Sequence, residues 1–168
     1  MDIVTHALSG LMLASLMPET TPEQKVIIVI GSVLPDIPFA KAYFLIAKRA
    51  KKSIFKLNLN DFTEHGSVVK PKIRSYLFFH SFIFLVLLSI FGFLFDKVFL
   101  FLSLGWGLHL LYDLFLHKYK EEKLRPKPFY PFKKSWDIGI TNAWMLKPRH
   151  FLMMWANHLI IILLLSIK

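Results

Sequence analysis

The sequence predicts an all-α integral membrane protein, a helical bundle of about five spans, some of them short or broken at proline. Three observations carry the prediction. Hydrophobic residues make up 55% of the 168-residue chain, 17 residues are Phe and the mean hydropathy is +0.49, whereas a soluble domain of this size must keep a polar surface toward water. Of the 21 Lys and Arg, set against 11 Asp and Glu, 17 fall in two loops between apolar stretches. Prolines punctuate those stretches at Pro18, Pro35 and Pro38, where a helix interior would lose a hydrogen bond. One compact domain of short spans is expected over residues 1–168.

The formal net charge of +10 does not point to nucleic acid, because the basic residues neither cover an amphipathic surface nor interleave with a stacking platform. Most fall in residues 48–74, from Lys48 to Arg74, and in residues 118–149, from Lys118 to Arg149. By the positive-inside rule both loops are cytoplasmic. With no cysteine in the chain, disulfides are excluded and a metal site must use nitrogen and oxygen ligands.

The first segment covers residues 3–17 and stops at Pro18. It is short for a span of about 20 residues. Asp2 replaces the basic residue of a signal peptide and no small-x-small cleavage site follows Met17, so a retained helix is expected. The second begins near Glu23, after the Thr21-Pro22 start signal. It should break between Pro35 and Pro38, flanking Asp36, and restart toward Ala47. Segments over 76–95 and 98–116 are separated by Asp96-Lys97 alone, which makes them an antiparallel hairpin. Residues 117–149 combine Pro126, Pro128 and Pro131 with Phe129, Tyr130, Phe132, Trp136 and Trp144, a composition suited to the headgroup layer. Residues 150–167 form the last span. This order places the N-terminus in the cytoplasm and the C-terminus outside.

Five ionisable residues lie in the apolar stretches: His6, Asp36, His80, His109 and Asp113. A charge at the centre of a membrane helix costs about 2.5 to 3.5 kcal/mol on the insertion scale, so such groups face one another, a metal or water. Counting 1.5 Å per residue from the cytoplasmic ends puts all but Asp36 at similar depth, and the proline break brings Asp36 toward them. His109 and Asp113 are four apart on one helix face, and Asp2 and His6 repeat the spacing in reverse. Each residue alone has an ordinary reading. A lone His is usually a hydrogen-bonded core residue, Asp36 between prolines is a cap or turn former, and His109 with Asp113 is a structural pair. Together they supply the imidazoles and carboxylates of a zinc-like site with a position left for water. His117 and His150 sit at membrane boundaries, His65 in a polar loop, and His158 has no partner at suitable spacing; none joins the set.

Asp36 or Asp113 could act as general base toward water held by the ion. The flanking basic loops suit a phosphate, with Arg74, Lys133 and Lys134 as candidate substrate contacts. An amphiphilic phosphoester with its tail in lipid fits this layout. Two rival readings come from other classes: a metal or proton transporter, since buried carboxylates and imidazoles also make ion pathways, and a non-catalytic scaffold that binds anionic lipid or a protein through its basic loops. The outer halves of the spans carry almost nothing polar, which argues against a conduit.

The order and spacing of Asp2-Ile-Val-Thr5-His6-Ala-Leu-Ser-Gly10, Gly31-Ser-Val-Leu-Pro35-Asp36, His80-Ser81, His109-Leu-Leu-Tyr-Asp113 and Pro131-Phe132 resemble the YdjM-type family of membrane-bound, metal-dependent hydrolases, also classed as a domain of unknown function. The resemblance implies a multispanning bacterial inner-membrane protein with His6, Asp36, His80, His109 and Asp113 as its metal set; the nitrogen and oxygen donors suit a divalent ion, zinc first and manganese as the alternative. Two departures stand out. Family members often carry Asp-x-Asp where this chain has Asp36-Ile37-Pro38, and His-Arg-Gly where it has Ile73 to Leu77. Both remove ligands from a second metal.

Overall fold

A computed structural model of the chain describes residues 3–57, 61, 64, 76–116, 127–132 and 148–166. Among these residues every regular element is helical. Helix α1 spans Ile3–Ser15 and α2 spans Pro22–Val33; a 3-10 turn, Leu34–Asp36, leads directly into α3, Ile37–Ala50. After a short 3-10 turn at Ile54–Lys56 come α4 (Phe82–Leu94), α5 (Lys97–Leu116) and α6 (Pro148–Ser166).

The start of α2 follows from local chemistry. Thr21 accepts a hydrogen bond from the Gln24 amide while the Gln24 side chain accepts from the Thr21 amide, a reciprocal box, with Pro22 in the first turn. The two prolines beyond Gly31 tighten the chain instead of stopping it. Pro35 and Pro38 each occupy the first turn of a new helical element, where a missing N–H costs nothing. The expected interruption at Asp36 therefore takes the form of one 3-10 turn. At the other end of α3, Lys51 closes the helix in the left-handed region, φ 51°.

The expected continuous helix over 76–95 is corrected. The helical turn at 76–79 ends at His80, and α4 starts afresh at Phe82. No proline causes this break; long-range and capping bonds satisfy it. Ser81 is extended and its hydroxyl caps the Phe84 amide. The Trp106 indole on α5 donates to the Phe79 carbonyl at 2.8 Å, and the Phe82 amide donates to the Pro128 carbonyl at 2.7 Å. The proline-rich segment 127–132 thus packs on the break. Asp96 accepts from the Val98 amide at the tight connection into α5.

Helix α5 is central, packing against α1, α2 and α4, while α1 also packs on α2 and α6. Its approach to α2 is backbone to backbone. A Cβ on Gly105 would strike the Ile28 carbonyl oxygen, and one on Gly31 the Leu102 carbonyl oxygen, so small residues set this spacing. Helix α5 is long and apolar enough to cross a membrane by length and composition. The apolar helices Ile3–Ser15, Phe82–Leu94 and Leu152–Leu165 are shorter.

Candidate metal centre

Four elements deliver the polar residues to one place. α1 carries His6, the 3-10 turn after α2 carries Asp36, the break before α4 carries His80, and α5 carries both His109 and Asp113. Donor atoms of Asp36, His80, His109 and Asp113 all lie within 4.8 Å of one another. His6 adjoins this set from the α1 side, with Nε2 3.3 Å from Asp113 Oδ1 and 3.8 Å from Asp36 Oδ2. Asp113 is the hub. Its carboxylate lies 3.3 Å from His109 Nε2 and 3.5 Å from His80 Nε2, and Asp36 Oδ1 lies 3.5 Å from His80 Nε2.

Hydrogen bonds fix the tautomers of two imidazoles. His109 Nδ1 donates to the Ser32 carbonyl at 2.8 Å and His80 Nδ1 to the Tyr76 carbonyl at 3.0 Å. A carbonyl can only accept, so each Nδ1 carries the hydrogen and each neutral ring keeps a lone pair on Nε2. Those two Nε2 atoms face each other at 3.1 Å. Opposed lone pairs at that distance repel unless a proton or a metal cation lies between or beside them. His6 is fully buried, and among the described residues neither of its ring nitrogens has a hydrogen-bond partner. Its 3.3 Å approach to Asp113 is close enough for attraction but lacks hydrogen-bond alignment, which leaves a costly orphan in an apolar interior.

A divalent ion answers each of these features. It would take lone pairs from imidazoles whose other nitrogen is committed to a carbonyl, and it would balance two carboxylates, of which Asp113 is nearly buried. A tetrahedral ion with bonds of about 2.0 to 2.2 Å holds its ligand atoms roughly 3.3 to 3.6 Å apart; the imidazole–carboxylate pairs and the His80–His109 pair lie between 3.1 and 3.8 Å, within a four-residue set that spans up to 4.8 Å. The rings pack to suit, His6 stacked on His109 with centroids 3.8 Å apart and His80 edge-on to His109 at 5.0 Å. Tyr76 lies against the outer face of His80, centroids 3.8 Å apart.

Accessibility differs across the cluster. The side chains of His6 and His109 have no exposure and that of Asp113 has 9%, whereas Asp36 retains 23%. Asp36 is thus the more open of the two carboxylates. His158 lies elsewhere, donating to the Met154 carbonyl and accepting from the Tyr112 hydroxyl at 3.3 Å. Arg74, Lys133 and Lys134 lie outside the described residues. The sequence reading missed Ser32 and Tyr76, whose carbonyls orient the imidazoles. It also missed Thr5, which accepts from the Trp155 indole at 3.0 Å and ties α6 to α1 next to His6. Small residues within apolar runs, Gly10, Gly31, Ser32 and Gly105, were the available signal for close helix approach.

A family model described as "YdjM inner membrane protein" matches residues 1–168. No curated protein and no solved structure matches the chain.

Proposed function

The chain belongs to the YdjM inner membrane protein family, and from that membership and the His/Asp cluster we propose a multi-pass bacterial membrane hydrolase that cleaves a phosphoester, or another ester, of a membrane-dwelling substrate. Asp36, His80, His109 and Asp113, with His6 beside them, would hold one divalent ion, zinc or manganese. The observation that carries this reading is the pair of opposed Nε2 atoms, 3.1 Å apart next to two carboxylates. When bound, such an ion supplies Lewis acidity toward water and a phosphoryl oxygen.

The side chains divide the remaining work. Asp36, the more open carboxylate, takes a proton from the attacking water as general base. Asp113, shared by three imidazoles at 3.3 to 3.5 Å, holds the site together. Arg74, Lys133 and Lys134 receive the phosphate charge from the basic loops. The chain makes about five passes in this reading, with its N-terminus in the cytoplasm, and forms a single domain. Helices α1 and α4, of 13 residues each, cover about 20 Å, short of the roughly 30 Å hydrocarbon core, so the bilayer thins or flanking residues snorkel around them.

Elemental analysis of detergent-purified protein beside folded His6→Ala and His109→Ala variants tests the metal. The expected result is about one ion per chain, lost from both variants, as for a site with three or four ligands. Release of phosphate from lipid phosphates by the loaded protein, absent in Asp36→Asn, tests the reaction. Metal binding with ion flux into vesicles but no hydrolysis would favour the transporter; no metal uptake at all would leave the scaffold.

A further inference from the structure

We propose that Ser32 is the positioning residue of this site, its two oxygen atoms setting His6 and His109, which come from two other helices, in register for one ion. The proposal rests on the metal reading above. Ser32 is fully buried in the last turn of α2. Its carbonyl accepts from His109 Nδ1 on α5 at 2.8 Å, and its hydroxyl lies 2.8 Å from the His6 carbonyl oxygen on α1, with the Val29 carbonyl of its own helix a second acceptor at 2.7 Å. One side chain and its own backbone thus join three helices.

The local sequence explains why this carbonyl is available. In an unbroken α-helix it would accept the amide of residue 36, but over Leu34–Asp36 the chain tightens into a 3-10 turn, where amides bond three residues back. Pro35 has no N–H to offer. The hydroxyl needs room as well, and a Cβ on Gly10 would collide with Ser32 Oγ. Glycine at that position lets α1 settle onto Ser32. His109 then keeps its Nε2 lone pair facing the cluster, while His6, stacked on it at 3.8 Å, is held at matching height.

Cobalt(II) titration of the metal-free, detergent-purified protein tests the proposal, reading affinity and the visible absorption of the bound ion, with circular dichroism as a check of folding. Ser32→Ala, which removes the hydroxyl on His6 and keeps the carbonyl on His109, should bind about tenfold more weakly with a shifted spectrum, the low end of the loss seen when outer partners of metal ligands are removed. Ser32→Cys, similar in size but a weak donor, should fall between it and the parent; should the alanine variant not fold, this variant decides. Ser9→Ala is the control. The Ser9 hydroxyl also lies 2.9 Å from the His6 carbonyl, but within α1, where it joins no second helix, so its loss should leave affinity and spectrum close to the parent's. A parent protein that takes up no cobalt overturns the metal reading and this proposal together. A parent that binds, with Ser32→Ala (or Ser32→Cys, where the alanine variant does not fold) matching it in affinity and spectrum, overturns the proposal alone.

Discussion

Two imidazoles whose Nδ1 hydrogens are taken by carbonyls present lone pairs to each other at 3.1 Å, and this conflict gives each carboxylate beside them a distinct part. Asp113 approaches all three imidazoles at 3.3 to 3.5 Å and Asp36 does so at 3.5 to 3.8 Å, while Asp36 keeps the larger exposure. Substituting Asp113→Asn should therefore abolish most metal binding, read by elemental analysis, because it removes both a charge and the shared partner. Asp36→Asn should retain more of the ion and lose roughly 10²- to 10⁴-fold in turnover, the usual span for a general base. At this scale the sequence was informative about residue type. His109 and Asp113 at i,i+4 and lone ionisable residues in apolar runs were visible, whereas the carbonyls that orient the rings belong to Ser32 and Tyr76, and only the fold shows which imidazole each one meets.

Helix boundaries separate into those written locally and those imposed from afar. The start of α2 is local, with Thr21, Pro22 and Gln24 forming the whole signal. Thr21→Ala should cost about 1 kcal/mol in thermal or denaturant unfolding. The break at His80–Ser81 is the opposite case. Residues 76–81 contain neither proline nor glycine, and the interruption depends on the Trp106 indole and the Pro128 carbonyl meeting freed backbone groups. A helix running through would also have carried His80 along the apolar face of α4. The contact between α2 and α5 is set by Gly31 and Gly105. Gly105→Val should destabilise by about 1 to 3 kcal/mol as an overpacked site and weaken metal binding, because separating these helices moves Asp36 from Asp113.

For the whole molecule, a bound ion and the packing of four elements should reinforce each other. Chelation should lower the melting temperature of the purified protein, since a ligand present at a hundredfold excess over its dissociation constant stabilises by about 2.7 kcal/mol; an unchanged melting temperature in His109→Ala with and without chelator would be the matching control. Orientation is tested separately. A reporter fused after Lys168 should read as non-cytoplasmic if both basic loops lie inside. The sequence by itself determined the apolar helical class, because 55% hydrophobic residues and the clustering of most basic residues in two loops constrain how a chain can meet water. It also determined which residues must find partners, because a buried carboxylate or imidazole is costly alone. The tertiary structure decided which partners they found. His6, Asp36, His80 and the α5 pair come from elements far apart in sequence, and only the backbone approaches at glycine, the turn at Pro35 and the long-range bonds around Ser81 bring them within a few ångströms.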